Sequence, residues 1–194
     1  MGDDVRVLAE THTDVIILGG RSGVGKTSVA AEASRILARA DIRHAVIEGD
    51  NLDQAHPEPW RQGIDLAERN LAAMWANYRA IGYSRLIFTN TVSVLEIPTL
   101  AVTLGTDLRP FGVLLTASDE TAAQRLGQRE IGSALDEHIE RSRQAVARLD
   151  AESTAHRVHT DGRSVSDIAR EILSVAGWIE PGCAQSGAEF DGAV

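Results

Sequence analysis

The junction at residues 14–40 constrains this chain more than any other stretch. The apolar run "DVIILGG" (14–20) leads into "GRSGVGKT" (Gly20–Thr27), and an alanine-rich segment, Lys26–Ala40, leads out. The first run has the length of a buried strand. The last carries Val29, Ala33, Ile36 and Leu37 at helical spacing. The octapeptide between them fits G-x-x-x-x-G-K-[ST]. Its glycines let the backbone curl so that successive N–H groups face inward, and the following helix adds the positive end of its dipole. That combination is a cradle for phosphate oxygens. Strand, loop and helix in this order make a bare glycine-rich turn the poorer reading.

On this pattern Gly20, Arg21, Ser22, Gly23, Val24, Gly25, Lys26, Thr27 and Ser28 surround the phosphates of a nucleotide. Lys26 reaches the β and γ phosphates, and the Thr27 hydroxyl is placed to hold Mg²⁺. Lys26 is also the only lysine among 19 basic residues. A planar guanidinium cannot replace a compact ammonium on a flexible stem at such a site, so the exception is physically sensible.

The bulk properties narrow the class. With 194 residues, 43% hydrophobic and 24% charged, the chain suits one soluble globular domain. A net charge of −9 argues against general affinity for nucleic acid or for anionic membranes. The single cysteine, Cys183, excludes an intrachain disulfide framework and a cysteine-rich metal cluster. No basic segment followed by an apolar stretch opens the chain, so a cytoplasmic location is expected.

Four further apolar runs follow the first: "RHAVIEGD" (43–50), "SRLIFTN" (84–90), "FGVLLTA" (111–117) and "HRVHT" (156–160). Between them the spacing predicts helices over Trp60–Ile81, Ser118–Arg129, Ser133–Leu149 and Ser164–Val175. In the first of these, Ile64, Leu71, Met74, Trp75 and Tyr78 are the candidate core positions. Val94–Leu104 is a poorer helix because Pro98 interrupts it. "SVSD" at Ser164–Asp167 resembles a capping box. Strands alternating with helices predict an α/β three-layer sandwich on a parallel sheet of about five strands. One domain over residues 1–178 and a flexible tail over 179–194, rich in glycine, alanine and acids, complete the expected organisation.

The absence of N-K-x-D speaks against a switch GTPase, and the third run ends in Thr89–Asn90 where motor-type ATPases end in an acid. The acid falls instead after the second run, in "EGDNLDQAHP" (Glu48–Pro57). Together with the phosphate loop and "RLGQR" (Arg125–Arg129), this resembles the small P-loop kinases: adenylylsulfate, gluconate, shikimate and nucleoside monophosphate kinases. Across residues 14–176 the resemblance implies the P-loop NTPase fold, with ATP and Mg²⁺ as cofactors and a short helical lid over about 125–143. It gives Asp50 the place beside the acceptor hydroxyl and the metal shell. It makes Arg125 and Arg129 the lid pair, and puts Gly162 and Arg163 against the adenine.

The residues support parts of this independently. An aspartate at the carboxyl end of a parallel strand borders the ligand crevice, where it orients or deprotonates an acceptor or holds a metal-bound water. The competing assignment for "GDN" is plain turn chemistry. Arg125 and Arg129, four apart, share one helical side and suit a clamp on a transferring phosphoryl group, or else a solvated face. On the acceptor side Asp53, His56, Trp60, Arg61 and Asn90 join Asp50, while Trp75 and Tyr78 read as core. The acidity of that entrance favours a neutral or cationic hydroxyl compound such as a sugar, nucleoside or antibiotic. The expected protein is a kinase with a small-molecule acceptor, monomeric or homodimeric. A nucleotide-binding regulator and an NTP hydrolase are the alternatives.

Overall fold

The computed structural model describes residues 12–105, 107–127 and 146–181. Five strands form one sheet: β1 (Thr13–Gly19), β2 (Ala45–Glu48), β3 (Arg85–Thr89), β4 (Leu108–Thr116) and β5 (His156–His159). Their order is β2-β3-β1-β4-β5, and every pairing is parallel. The register sets Leu18 opposite Thr89 and Gly19 opposite Leu114, which brings the carboxyl ends of three strands level beside the phosphate loop.

The sheet is covered on both faces, the physical reason its strands read as continuous apolar runs. Ile16 and Leu18 of β1 pack with Leu37, Ile172 and Leu173, from helices α1 (Lys26–Arg39) and α5 (Val165–Val175). Val15 and Ile17 point the other way, toward Leu71 and Trp75 of α2 (Leu66–Ala80) and Leu100 of α3 (Ile97–Leu104). Leu149, from a helical segment at 146–152, joins that second core. The indole N–H of Trp75 donates to the Thr13 hydroxyl at 3.2 Å, so this buried tryptophan is satisfied as core. Helix α4 (Asp119–Gly127) leaves the carboxyl end of β4.

Three local expectations need correction. The helix expected over Trp60–Ile81 is a 3₁₀ turn, Pro59–Gln62, followed after Gly63 by α2. Ile64 falls in the connection between the two and is exposed; within α2 Leu71 and Trp75, one turn apart, share the buried face and Met74 is exposed. Pro98 does not interrupt α3; it sits in the first turn, where a missing N–H costs no hydrogen bond. β4 starts at Leu108, ahead of the apolar run, because Arg109 and Pro110 continue the pairing with β1.

At the last helix the capping expectation holds: the Ser164 hydroxyl accepts from the Asp167 N–H at 3.1 Å. Trp178 and Ile179 pack against the α1/α5 side of the core. Arg129, most of the expected lid and Cys183 lie outside the described residues. Among the described residues no helix is long and apolar enough to cross a membrane.

Candidate active site

The chain crosses from one side of β1 to the other between β3 and β4, so the carboxyl ends of these strands border a crevice. The loop after β1 lies at its mouth. The Gly20 N–H donates to the Thr91 carbonyl at 3.0 Å, tying the loop to the end of β3. Gly23 has φ +87°, and a Cβ there would lie 2.5 Å from the Ala122 carbonyl oxygen, so only glycine lets the loop rest on α4. In front of the loop the space is open: a Cβ on Gly25 would meet nothing within 4 Å. Helix α1 begins at Lys26, directly after Gly25, and a helix start presents backbone N–H groups that its own turns do not use. The Lys26 ammonium reaches back to the Gly20 carbonyl at 2.7 Å and the Arg21 carbonyl at 3.3 Å. Ser22 and Ser28 are half-buried, Val24 is buried, and Thr27 is exposed in the first turn of α1. These features suit a triphosphate with its metal: donors in front, a cation beside them, and a hydroxyl at the helix start.

Arg21 shows a role that spacing did not reveal. It is only 4% exposed and forms an ion pair with Asp119 at the start of α4. Ser118, just before that helix, accepts from the Thr121 N–H at 3.2 Å and so caps it. The Asp161 carboxylate, in the loop after β5, accepts from the Ser118 N–H at 2.9 Å and from its hydroxyl at 3.1 Å. The first turn of α4 is thereby tied both to the phosphate loop and to the loop after β5. The Ser118–Thr121 cap was visible in "SDET"; the two long-range ties had no local signal.

Arg125 is not on a solvated face. Its guanidinium donates to the Val24 carbonyl at 3.3 Å, the Thr160 hydroxyl at 3.0 Å and the Thr160 carbonyl at 3.2 Å. It therefore bridges the phosphate loop and the loop after β5. Beside it is a cavity of about 190 Å³ lined by Gly25, Ser28, Val29, Thr160, Arg163 and Val165, among others. Gly162 and Arg163 are both exposed in that loop; Arg163 pairs with Glu171 and donates to the His159 carbonyl at 3.3 Å. A second cavity of about 340 Å³ opens on the opposite sheet face, between Arg21, Leu114, Leu149 and His159.

Hydrogen bonding from Thr121 and Ser118, with the Arg125 guanidinium nearby, outweighs burial and holds the Asp161 carboxyl below the usual carboxylate range. A depressed carboxyl contributes stability that is present above its unfolded value and lost as pH falls through the folded one. Asp161→Asn should therefore melt below the parent at pH 7, and the gap should close between about pH 4 and the more acid folded value. Melting curves from neutral to acid pH test this; a gap of constant size would refute it.

On the acceptor side Asp50 is exposed in the 3₁₀ turn Gly49–Asn51, directly after β2. The Asn90 amide nitrogen lies 3.4 Å from its Oδ1. Asp53 is half-buried and His56 exposed further along the same connection. Trp60 is 61% exposed, with the Arg61 guanidinium 4.9 Å over its ring and Glu58 3.8 Å from Arg61. The structure thus brings Lys26, Thr27, Asp50 and Asn90 to one end of the sheet and Arg125, Gly162 and Arg163 to the far side of the loop. Among the described residues no three acids, histidines or cysteines form a metal-binding group.

No protein-family model matches this sequence, and no curated protein does. Solved structures do. A tunicamycin resistance protein from Deinococcus radiodurans superposes with a TM-score of 0.59 at 18% identity, over 86% of this chain and 96% of that one. A gluconokinase from Sinorhizobium meliloti gives 0.56 at 21% identity, over 85% and 92%. A shikimate kinase from Acinetobacter baumannii, in complex with shikimate, gives 0.53 at 16% identity, over 86% and 93%. The chain has the P-loop fold of small-molecule kinases.

Proposed function

We propose that this protein is an ATP- and Mg²⁺-dependent phosphotransferase that moves the γ-phosphoryl group to a hydroxyl of a small molecule. The observation that carries this reading is the placement of Lys26 and Asp50 at the same end of the sheet, past the carboxyl ends of β1 and β2, with β3 between those two strands. Two strand spacings separate those strands, about 10 Å, which accommodates a terminal phosphate and an acceptor hydroxyl side by side. A nucleotide-binding switch needs the phosphate loop but has no use for a carboxylate across the crevice.

In this reading the N–H groups of the loop and of the α1 start bind the phosphates, and Lys26 leaves the loop carbonyls to neutralise the β and γ oxygens. Thr27 would hold Mg²⁺ and Asp50 a water bound to it; the ion would supply charge neutralisation on the phosphates. Asp50 orients the acceptor and takes its proton. Arg125 and Arg163 wall the cavity for the base, Gly162 belongs to the same loop as Arg163, and Arg129 keeps the phosphoryl-binding role that the resemblance implies. Asp53, His56, Trp60, Arg61 and Asn90 line the acceptor entrance. Glu58 balances Arg61, so this entrance suits a neutral or cationic hydroxyl compound better than a dianion. The protein acts in the cytoplasm as a monomer or homodimer in this reading, and the net charge of −9 disfavours nucleic acid or an anionic membrane as partner.

The test is ADP release from Mg²⁺–ATP across sugars, nucleosides and cationic hydroxyl antibiotics. One chemical class should accelerate release by about tenfold or more over water, the gain expected from a positioned acceptor. Turnover equal with and without every compound would instead indicate a hydrolase. No turnover with tight ATP binding would indicate a regulator.

A further inference from the structure

Asn90 occupies the place after β3 where motor-type ATPases carry an acid, and its surroundings define the direction of its amide. Its backbone N–H donates to the Leu18 carbonyl at 3.2 Å, fixing it against the end of β1. The Val92 N–H donates to Asn90 Oδ1 at 3.0 Å. A backbone N–H only donates, so the atom it meets is the amide oxygen, and the opposite end of the amide is the NH₂ donor. That donor faces Asp50 Oδ1 at 3.4 Å, the long end of hydrogen-bond range.

The approach of the two loops is enforced by packing. A Cβ on Gly49 would lie 2.9 Å from Asn90 Cβ, from Asn90 Nδ2 and from the Thr89 carbonyl oxygen. The bare glycine therefore lets the turn that carries Asp50 rest directly on Asn90. The next residue, Thr91, accepts the Gly20 N–H at 3.0 Å. Residues 90–91 thus contact β1, the phosphate loop and Asp50 together.

Resting on the reading of Asp50 given above, we propose that Asn90 is a positioning residue. Its amide, oriented by Val92, aims the Asp50 carboxylate into the crevice, at a distance from the phosphate loop set by Thr91. Asn90 acts through Asp50 rather than by binding the acceptor itself. An acid at this position would set a second negative charge against Asp50 and remove the donor.

The test uses the full chain and four proteins: the parent, Asn90→Asp, Asp50→Asn and the double variant. Asn90→Asp keeps the acceptor for Val92, removes the donor to Asp50 and sets a second carboxylate against it. Two quantities are read: ADP release from Mg²⁺–ATP with water as acceptor, and the Kd for N-methylanthraniloyl-ATP. Asn90→Asp should lower the rate by more than about threefold and shift the Kd by less than that, whereas a merely structural role would move both. In the Asp50→Asn background the second substitution should cost less than about threefold, the signature of two residues acting as one. A rate within threefold of the parent, or an equal loss of nucleotide affinity, overturns the proposal. A multiplicative loss in the double variant also overturns it, because it places the amide on the reacting molecule. If Asp50→Asn turns over too slowly to divide further, the Asn90 side-chain amide signals in ¹H–¹⁵N spectra decide. They should shift in Asp50→Asn, and unmoved signals overturn the proposal. Parent-like turnover in Asp50→Asn alone would refute the role of Asp50, a result distinct from failure of Asn90→Asp.

Discussion

Lys26→Ala is expected to lower phosphoryl transfer by about 10²–10³-fold or more, the scale seen when a preorganised charge stabiliser is removed from a transition state. The fold should survive. Nζ contacts two carbonyls at the mouth of the loop, those of Gly20 and Arg21, while the core lies beneath in β1, α1 and α5. The melting temperature should stay within about 4 °C of the parent, the upper shift corresponding to about 1 kcal/mol in a domain of this size. Lys26→Arg is the sharper control. It keeps the charge, but its flat fork cannot bend back to one carbonyl and then turn to the β and γ oxygens, so it should not restore activity. Transfer assays and nucleotide titrations on both variants check this. Parent-like turnover in Lys26→Ala would remove the phosphate site as the source of the chemistry.

Asp50→Asn carries the second large effect, an expected loss of about 10²–10⁴-fold, the range of a positioned general base. The substitution is isosteric and lies in an exposed turn, so stability should hardly change. Its particular value is the separation of steps. Nucleotide binding involves the loop after β1, while Asp50 stands after β2, so the affinity for ATP should remain near that of the parent. Single-turnover rates set against equilibrium binding resolve the two. If the variant transfers phosphate at the parent rate, the acceptor is activated elsewhere.

Much of the architecture was legible before any coordinates. The glycine pattern marked the phosphate loop because the turn itself needs backbone that other residues rarely adopt: Gly20, Gly23 and Gly25 have φ of +139°, +87° and +99°. Continuous apolar runs announced a sheet covered on both faces. Errors arose where a local signal had two meanings. Pro98 reads as a helix breaker or a helix starter, depending on whether the helix begins before or at it. Ile64 reads as core only if the helix runs through Gly63, where it breaks, and the apolar character of Met74 does not show that α2 turns Leu71 and Trp75 inward instead.

By itself the sequence determined the phosphate cradle, the alternation of strands with helices and the candidacy of Lys26 and Asp50, because each depends on residues within a turn or a strand of one another. Only the tertiary structure decided which of these side chains meet. Arg21 finds Asp119 across 98 residues, Arg125 finds Val24 across 101, and Asn90 finds Asp50 across 40. Parallel strands need long crossovers, so neighbours at the carboxyl end of the sheet are remote in the chain, and strand order selects them. That order made Arg125 a bridge between the phosphate loop and the loop after β5, paired Arg21 with Asp119 at the start of α4, and set the Asn90 amide against the Asp50 carboxylate.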